Sequence, residues 1–278
     1  MANILITGGA GFIGSNLVEE LSNQKHNITV WDNYSTGNYK SNKANFVTQD
    51  ILKPFKEIEN IDIIFHLAAL ARIQPSFKKP ETTHDVNVTG TLRMLELAKK
   101  LNAKFVYAGS SSFYHDIHAN PYTFTKWLGE QYCELYNKIY GVKTVIARFF
   151  NVYGPRQLDE GEYATVIGIF EKQFKENKPL TITGTGEKRR DFTHVKDIVS
   201  GLIKMSEKEW DNEIFNLGTA INYSINELAY MFNHKIKHIP ERPGEAQITL
   251  ADISKTQKLL NWHPKYDLES YIKTTIRK

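Results

Sequence analysis

The sequence predicts an α/β protein, in which a Rossmann-type, doubly wound parallel sheet is followed by a smaller C-terminal lobe. Three observations support this fold class. Short β-branched runs alternate with amphipathic helical patterns through the first half of the chain, as they do in repeated βαβ units. A glycine-rich turn joins the first run to the first helical pattern. The alternation then becomes irregular after residue 150.

Five runs in the first half are predicted strands. Most of them are continuously apolar, as parallel strands covered on both faces should be. Amphipathic helices are predicted between them at 12–22, 81–100 and 121–140. The predicted strands are NILIT (3–7), ITVW (28–31), DIIFHLA (62–68), AKFVYAG (103–109) and TVIARFF (144–150).

The later part of the chain predicts a small lobe built around a ligand. It contains several polar loops and at least one further strand, EIFNL (213–217). We expect a Rossmann domain at 1–150 with a returning segment at about 191–218, and a substrate-binding lobe formed by 151–190 and 219–278. The helices predicted in this part are 163–177, 194–206, 224–233 and 267–276.

Composition excludes several classes of protein. The chain has 278 residues, of which 41% are apolar and 24% charged, near the averages of soluble globular proteins. The basic residues behind its net charge of +4 are spread along the sequence, which argues against a nucleic-acid partner. No run approaches the roughly 18 apolar residues of a membrane-spanning helix, and the N-terminus lacks signal-peptide features, so we expect a cytoplasmic protein. The single cysteine, Cys133, excludes an internal disulfide, and no Cys and His cluster has metal-ligand spacing.

The first turn predicts a dinucleotide site. The stretch ILITGGAGFIGSN places Gly9, Gly11 and Gly14 as G-x-G-x-x-G between a strand and a helix, where glycines allow close approach of a pyrophosphate to the helix N-terminus. Asp32 ends the second strand, 18 residues beyond Gly14. A carboxylate there accepts hydrogen bonds from the adenosine ribose and repels a 2′-phosphate, so NAD is favoured over NADP. Asp50, after a strand-like run NFVTQ, is expected near the adenine.

The stretch GSSSFYHDIHANPYTFTK predicts a proton-transfer site. Asn120 and Gly141 have the residue types of a helix N-cap and C-terminal stop. Within that helix Tyr122 and Lys126 are four residues apart on one face, so the ammonium is expected to favour the ionised phenol. A Tyr of lowered pKa can act as acid and base near neutral pH. Ser110 ends the preceding strand, at the edge where such sheets bind ligands.

These motifs, with others along nearly the whole chain, resemble the extended short-chain dehydrogenase/reductase family, specifically its nucleotide-sugar epimerases typified by UDP-glucose 4-epimerase. The resemblance implies NAD as a bound catalyst, a UDP-sugar substrate such as UDP-glucose or UDP-N-acetylglucosamine, and a homodimer formed by packing the helices near 81–100 and 121–140 into a four-helix bundle. The matching motifs are TGGAGFIGSN, DNYSTG, HLAA, DVNVTGT, SSS, YxxxK, RFFNVYGPRQ, RRDFTHVKDI and RPGEA followed by ADISKTQKLLNW.

The resemblance also implies roles for individual residues. Ser110 and Tyr122 match the catalytic pair, and Lys126 matches a residue that also binds the nicotinamide ribose. Thr249 matches a wall of the sugar pocket, where a small residue admits an N-acetyl group that a Tyr would exclude. Asn151, Arg190, Arg242 and Glu245 match residues that hold the nucleotide diphosphate and its ribose. The positions that match NAD contacts are Gly8, Gly11, Phe12, Ile13, Asp32, Asn33, Asp50, Ile51, Leu67, Ala68, Ala69, Ala71, Asn87, Tyr122 and Lys126.

Three functions are compatible with these motifs: a 4-epimerase, a sugar 4,6-dehydratase or decarboxylase, and a non-catalytic NAD-binding protein. A 4-epimerase is favoured, because sugar 4,6-dehydratases of the family carry Asp and Glu where this chain has Ser111 and Ser112, and decarboxylases carry Glu at the second position. A non-catalytic NAD-binding protein is disfavoured because Ser110, Tyr122 and Lys126 are all present. The chain departs from the family in a shortened loop, HDIHANP, and in His115, where a Gly is usual. The loop often walls the sugar pocket, so we expect a more open sugar end.

Overall fold

A seven-stranded parallel sheet forms the centre of the molecule and confirms the predicted fold class. The computed structural model describes residues 1–277. In chain order, its strands are β1 (Asn3–Thr7), β2 (Asn27–Asp32), β3 (Asn45–Thr48), β4 (Ile63–His66), β5 (Lys104–Ser110), β6 (Thr144–Phe149), β7 (Asn151–Tyr153), β8 (Leu180–Thr183), β9 (Arg189–His194), β10 (Glu213–Leu217), β11 (Asn222–Ser224) and β12 (Ile236–Ile239).

The order of the central sheet is β10-β6-β5-β4-β1-β2-β3. Every neighbouring pair is parallel, and the chain reverses its direction of winding between β1 and β4. This is the doubly wound arrangement, in which ligands bind beyond the carboxyl ends of the strands at the point of reversal. The site is therefore expected at the ends of β1, β2, β4 and β5.

Helices cover both faces of this sheet. They are α1 (Phe12–Asn23), α2 (Ile73–Lys78), α3 (Pro80–His84), α4 (Gly90–Leu101), α5 (Pro121–Tyr140), α6 (Val166–Lys175), α7 (Val195–Ser206), α8 (Ile225–Met231), α9 (Ser254–Leu260) and α10 (Leu268–Ile276). A π-helical turn at Asp85–Thr89 joins α3 to α4, and a 3₁₀ turn at Ser111–Tyr114 follows β5. The helix predicted over 81–100 is thus interrupted. In residues 1–277 no helix is both long and apolar enough to cross a membrane.

Side chains alternate between two cores along each strand of the central sheet. Ile4 and Ile6 of β1 pack with α1 and α7 on one face, whereas Leu5 packs with α4 and α5 on the other. Cys133 is fully buried in this second core. Burial on both faces explains why these strands are apolar without interruption.

A third core lies in the C-terminal part of the chain. It includes Tyr153, Phe170, Leu228 and Ile272, and it packs with a three-stranded sheet of order β11-β9-β7 and a two-stranded sheet of β12 and β8. Strand β10 of the same part adds to the edge of the central sheet beside β6. The later chain therefore contributes both to the main sheet and to a separate cluster.

Candidate active site

A cavity of about 560 Å³ opens at the carboxyl ends of the central strands. It is lined by the glycine-rich turn, the ends of β2, β4 and β5, the start of α5, and the segments around 151, 190 and 242–249. The wall contains these residues proposed from the sequence: Gly8, Gly11, Phe12, Ile13, Asp32, Asn33, Asp50, Ile51, Leu67, Ala68, Ala69, Ala71, Ser110, Tyr122, Lys126, Asn151, Arg190, Arg242, Glu245 and Thr249.

The glycine-rich turn has the shape that a dinucleotide requires. Gly8 has a φ of 74°, and a Cβ built on it would lie 2.7 Å from the amide nitrogen of Ala68. A Cβ on Gly14 would lie 2.2 Å from the carbonyl oxygen of Gly8, so the turn and α1 pack backbone to backbone. Gly11 is the N-cap of α1, which leaves the free N–H groups of the first helical turn beside the cavity. These residues fit a pyrophosphate.

Asp32 is held where an adenosine ribose would lie. It ends β2, is buried, and its Oδ2 and Oδ1 accept hydrogen bonds from the N–H groups of Ala10 (2.9 Å) and Tyr34 (2.8 Å). These two bonds fix the carboxylate and leave further lone pairs for ligand hydroxyls. Asp50 lies nearby, with its Oδ2 3.3 Å from Nδ2 of Asn33. The residues present therefore fit NAD as the cofactor.

Asn87, a predicted NAD contact, is not among the residues that line the cavity, and its role stays a prediction. It is 1% exposed, and its Oδ1 accepts a hydrogen bond from the N–H of Leu70 at 2.8 Å. Its Nδ2 donates to the carbonyl of Leu70 and to Oγ1 of Thr125. Both ends of the amide are thus used within the protein. Asn87 instead holds the segment after β4, whose neighbours Ala69 and Ala71 do line the cavity.

Ser110 and Tyr122 meet in the cavity. Tyr122 lies in the first turn of α5, and its Oη donates a hydrogen bond to Oγ of Ser110 at 3.2 Å. Oγ of Ser110 is 2.9 Å from Oγ of Ser112. The predicted N-cap positions the helix, since Oδ1 of Asn120 accepts from the N–H of Thr123 at 2.8 Å. A sugar hydroxyl can therefore contact both Ser110 and Tyr122.

The charges around Tyr122 differ from the prediction. Burial raises the pKa of Tyr122, and the effects that lower it are the hydrogen bond to Ser110 and the positive charge of Arg72. Lys126 is oriented differently: its Nζ lies 4.4 Å from the ring centre of Tyr107. Burial lowers the pKa of Lys126 to about 8, against the opposing charge of Glu130. Burial therefore keeps the pKa of Tyr122 above its ordinary value, and Lys126 is not among the groups that lower it.

Three residues of the wall were missed or left without a role by the sequence reasoning. Arg72 follows the HLAAL segment at the point of strand reversal, which is the signal that could have identified it. His115 occupies the position where a Gly is usual, and within residues 1–277 its buried Nε2 has no hydrogen-bond partner. Lys188 is buried and lies 3.0 Å from a carboxylate oxygen of Glu241. His66, in contrast, is a buried core residue whose two ring nitrogens contact Thr7 and Thr91.

The substrate side of the cavity combines basic residues with Glu245. Nη2 of Arg190 and Nζ of Lys188 lie 3.8 and 3.7 Å from Oε2 of Glu245. Burial lowers the pKa of Arg190, against the charge of Glu245. Arg242 is on the same wall. Such a group of cations suits a diphosphate, because guanidinium groups donate to phosphate oxygens in pairs.

Asn151 and Thr249 support each other at the floor of the cavity. Nδ2 of Asn151 donates to Oγ1 of Thr249 at 3.1 Å and to the carbonyl of Asp191. Oγ1 of Thr249 also accepts from the N–H of Asp191 at 3.0 Å. Both hydrogens of the Asn151 amide are therefore used, and only its Oδ1 remains for a ligand.

The loop 242–246, which carries Arg242 and Glu245, is attached to the scaffold by side chains. Nε2 of Gln74 donates to the carbonyl of Pro243 at 2.8 Å, and Nδ2 of Asn120 donates to the carbonyl of Gly244 at 3.1 Å. A Cβ on Gly244 would lie 2.9 Å from the ring of Phe77. The loop thus packs against α2 and the residues that precede α5.

Fold and cavity together fit an NAD-dependent enzyme, and the predicted residues Ser110, Tyr122 and Lys126 all lie on the cavity wall. The sequence profile of the NAD dependent epimerase/dehydratase family matches residues 4–218. The chain belongs to this family.

Individual relatives differ in their named reactions. The chain is 36% identical to a putative UDP-glucose 4-epimerase of Methanocaldococcus jannaschii, with 98% of this chain and 97% of the relative covered. It is 33% identical to UDP-glucuronic acid decarboxylase 1 of Xenopus tropicalis, with 98% of this chain and 71% of the relative covered. The relatives therefore include both epimerases and decarboxylases.

Solved structures support the same family. A UDP-glucose 4-epimerase from Thermotoga maritima superposes with a TM-score of 0.91 at 31% identity, covering 99% of this chain and 97% of the other. A UDP-N-acetylglucosamine 4-epimerase from Methanobrevibacter ruminantium M1 has a TM-score of 0.91 at 30% identity, again covering 99% and 97%.

Proposed function

We propose that the protein epimerises UDP-hexoses at C4 through a transient 4-keto sugar. It interconverts UDP-N-acetylglucosamine with UDP-N-acetylgalactosamine, and UDP-glucose with UDP-galactose. The observation that carries this proposal is the 3.2 Å hydrogen bond between Tyr122 and Ser110 in a cavity shared with the dinucleotide turn. Relatives and solved structures named as UDP-sugar 4-epimerases agree with it.

Each residue has a defined part in this reaction. Tyr122 takes the proton of the sugar O4 and later returns it, and Ser110 holds O4 against the phenol. NAD, held by the glycine-rich turn and Asp32, would supply reversible hydride acceptance at C4, so the reaction would involve no net oxidation. Lys126 would hold the nicotinamide ribose, and the basic group around Arg190 and Arg242 would bind the diphosphate. Between the two half-reactions the 4-keto sugar has only to rotate in the cavity, so that the opposite face of C4 is presented for hydride return.

The neighbours of Ser110 argue against elimination or decarboxylation. A dehydratase needs an acid and a base beside C5 and C6, and the positions next to the catalytic serine are Ser111 and Ser112, both on the cavity wall. Hydroxyl groups of ordinary pKa do not supply that chemistry at neutral pH. The similarity to UDP-glucuronic acid decarboxylases is therefore accounted for by the shared oxidation at C4.

Thr249 supports acceptance of an N-acetyl group. It is 7% exposed and lines the cavity, so a phenol ring in its place would occupy volume that an acetamido group needs. We expect Thr249→Tyr to lose the N-acetylated pair selectively. Thr249→Ser is the matched control, because it keeps the hydroxyl that Asn151 and Asp191 bond.

The test is proton NMR of the purified protein with UDP-glucose, UDP-N-acetylglucosamine and UDP-glucuronate supplied one at a time. We expect the anomeric signal of the C4 epimer to appear with the first two sugars, and only with UDP-glucose in Thr249→Tyr. Melting temperatures of both variants identify a simple loss of folding. Absence of epimer from UDP-N-acetylglucosamine with the wild type would reject the N-acetyl assignment, and a UDP-pentose product from UDP-glucuronate would identify a decarboxylase.

A further inference from the structure

An ion pair buried between α5 and β6 takes no part in the proposed reaction. Its members are Glu130 of α5 and Arg148 of β6, whose side chains are 3% and 7% exposed. Nη2 of Arg148 donates to Oε2 of Glu130 at 2.6 Å, and Nε donates to Oε1 at 3.1 Å. Neither residue is on the cavity wall. The pair joins the helix that carries Tyr122 to the central sheet by two parallel bonds of defined geometry.

The pair contacts the chain on both sides of Ser110. Gly109, the residue before it, is the register partner of Arg148 in the parallel strands β5 and β6. A Cβ built on Gly109 would lie 2.8 Å from Oε1 of Glu130, so the carboxylate packs directly against the main chain. In the 3₁₀ turn after Ser110, the ring centre of Phe113 lies 3.4 Å from the guanidinium carbon of Arg148. The end of β5 and the turn that follows are therefore packed on one ion pair.

The same pair constrains α5. Tyr122, Lys126 and Glu130 are spaced four residues apart, so they lie along one face of the helix. At 1.5 Å per residue, Glu130 is about 12 Å along the helix axis from Tyr122. The helix packs closely on β5, since a Cβ on Gly129 would lie 2.1 Å from Oη of Tyr107. The position of Glu130 therefore constrains the phenol in the first turn of α5.

Stability alone is a weak reason for a buried ion pair. The cost of removing two charges from water can exceed the attraction between them, and well-packed apolar residues of similar volume are often equally or more stabilising. What an ion pair offers over an apolar contact is direction, because the forked donors of a guanidinium group meet a carboxylate in one arrangement. Here that arrangement sets how the end of β5 lies against α5.

We propose that this buried pair holds Ser110 at the distance from Tyr122 at which both side chains contact O4 of the sugar. Glu130 and Arg148 are thus positioning residues, which act through the main chain before Ser110 and the aromatic ring after it. The inference rests on the proposed function for the roles of Ser110 and Tyr122. The 3.2 Å separation between Oη of Tyr122 and Oγ of Ser110 is the quantity that the pair controls.

The test exchanges the pair for two apolar side chains in the full-length, NAD-saturated protein. In Glu130→Met/Arg148→Met no charge is left unpaired, so we expect the urea midpoint of unfolding and the NAD content to stay near wild type. We expect kcat with UDP-glucose to fall about 10–10²-fold, because a misplacement of about 1 Å can cost that much. KM should stay near wild type, since the nucleotide is held by other residues.

A matched control removes an ion pair that has no contact with this region. Lys143 and Asp211 are exposed and pair at 2.7 Å just before β6 and β10, and neither lines the cavity. Lys143→Met/Asp211→Met should leave kcat unchanged. An equal fall in kcat in both double variants would contradict the proposal.

Phe113→Leu is a second variant, which leaves the ion pair intact and keeps the test informative if the first double variant unfolds. The leucine retains apolar packing but loses the aromatic face that lies on the guanidinium of Arg148. We expect kcat to fall while the urea midpoint of unfolding changes little. Wild-type kcat in Phe113→Leu would count against the route through the turn.

A double-mutant cycle with Ser110→Ala identifies the group through which the pair acts. In the Ser110→Ala background the exchange to Met should hardly lower kcat further, because the side chain it displaces is already absent. An undiminished effect in that background would overturn the proposal. So would a loss relative to wild type that disappears as the pH is lowered. Burial lowers the pKa of Lys126 to about 8 against the charge of Glu130, so that result would mean that Glu130 acts by keeping Lys126 charged.

Crystal structures of the NAD-bound wild type and of Glu130→Met/Arg148→Met give a readout that needs no turnover. We expect Oη of Tyr122 and Oγ of Ser110 to separate beyond hydrogen-bonding distance, about 3.5 Å, in the variant. An unchanged separation of 3.2 Å would reject the positioning role. Because this distance does not depend on the substrate, an error in the proposed reaction leaves the measurement intact. Failure of the proposed function and failure of this inference are therefore separable.

Discussion

Tyr122 is the residue on which the proposed chemistry depends most directly. Its Oη is hydrogen-bonded to Ser110, and its main-chain N–H donates to Oγ of Ser76 at 3.1 Å, so its position is fixed independently of its hydroxyl. We expect Tyr122→Phe to keep the fold and NAD binding while turnover falls about 10²–10⁴-fold, the usual contribution of a general acid–base group. Circular dichroism and NAD titration provide the controls. Wild-type turnover in this variant would show that another group moves the proton.

The buried imidazole of His66 makes the free energy of unfolding sensitive to acid. Burial, together with the charge of Lys126, lowers the pKa of His66 from 6.5 to about 3. Between these values the unfolded chain binds a proton that the folded protein excludes, so this contribution to stability is complete above pH 6.5 and is lost as pH falls toward 3. Protonation of His66 therefore lowers the free energy of unfolding by at most about 1.4 kcal/mol per pH unit.

The measurement is urea unfolding of wild type and His66→Gln at several pH values from 7 down to about 4, in the window set by the two pKa values. The glutamine retains hydrogen-bonding groups for Thr7 and Thr91, which contact both ring nitrogens. We expect the free energy of unfolding of the variant to fall less steeply with acid. Parallel pH dependences in the two proteins would mean that His66 is protonated in the folded state.

Helix α5 is the element that joins the fold to the chemistry. It begins with Asn120 as N-cap and Pro121 in its first turn, and it ends at Gly141, whose φ is 71°. These end signals are local, and the sequence therefore predicted its bounds. The same helix supplies Tyr122 and Lys126 to the cavity. A local cap thus controls the position of the catalytic phenol.

Asn120 has two separable functions. Its Oδ1 caps α5 through Thr123, and its Nδ2 holds the carbonyl of Gly244. We expect Asn120→Ala to lose both and to cost about 0.5–2 kcal/mol of stability, the usual range for a lost N-cap. Asn120→Asp keeps a capping oxygen but has no donor for Gly244, so its stability should stay near wild type.

Calorimetry of UDP binding and urea unfolding distinguish the two effects of Asn120. The Asp variant should bind UDP more weakly than wild type while unfolding at a similar urea concentration. Equal UDP affinity in all three proteins would show that the bond to Gly244 does not help to position the nucleotide loop.

Elements whose signals are not local were harder to predict. The interruption of 81–100 by a π-helical turn depends on tertiary packing: a Cβ on Gly90 would lie 2.5 Å from the side chain of Ile51. Asn87 matched a cofactor-binding motif, yet its orientation is set by Leu70 and Thr125, which are distant in sequence. Arg72 became a candidate only when the fold placed it on the cavity wall. The strands of the central sheet and most of the cavity wall, in contrast, follow from apolar runs and ordered motifs.

At the scale of the whole molecule, an uncovered apolar surface lies on α5. Leu135, Ile139 and Tyr140 are 46%, 64% and 50% exposed. Helix α4 packs beside α5, so the two together present a helical face of the kind that forms a four-helix bundle between subunits. We propose that the protein is a homodimer through this face.

The dimer is tested by light scattering after size-exclusion chromatography. Ile139→Asp should convert a dimer to a monomer, since it places a charge in an apolar contact. Tyr230→Asp on α8 is the matched control, because Tyr230 is 70% exposed at a distance from this face. A monomeric wild type, or an Ile139→Asp protein that remains dimeric, would contradict the proposed interface.

The attachment of the loop 242–246 has a consequence for how such proteins diverge. The scaffold donates hydrogen bonds to the loop, and the acceptors are the main-chain carbonyls of Pro243 and Gly244. Every residue has such a carbonyl, so these bonds do not depend on the side chains that the loop carries, except at Gly244, where a side chain would meet Phe77. Its outward residues can therefore be exchanged over generations without detaching it from the scaffold. New nucleotide-sugar preferences can then arise while Ser110, Tyr122 and Lys126 remain untouched.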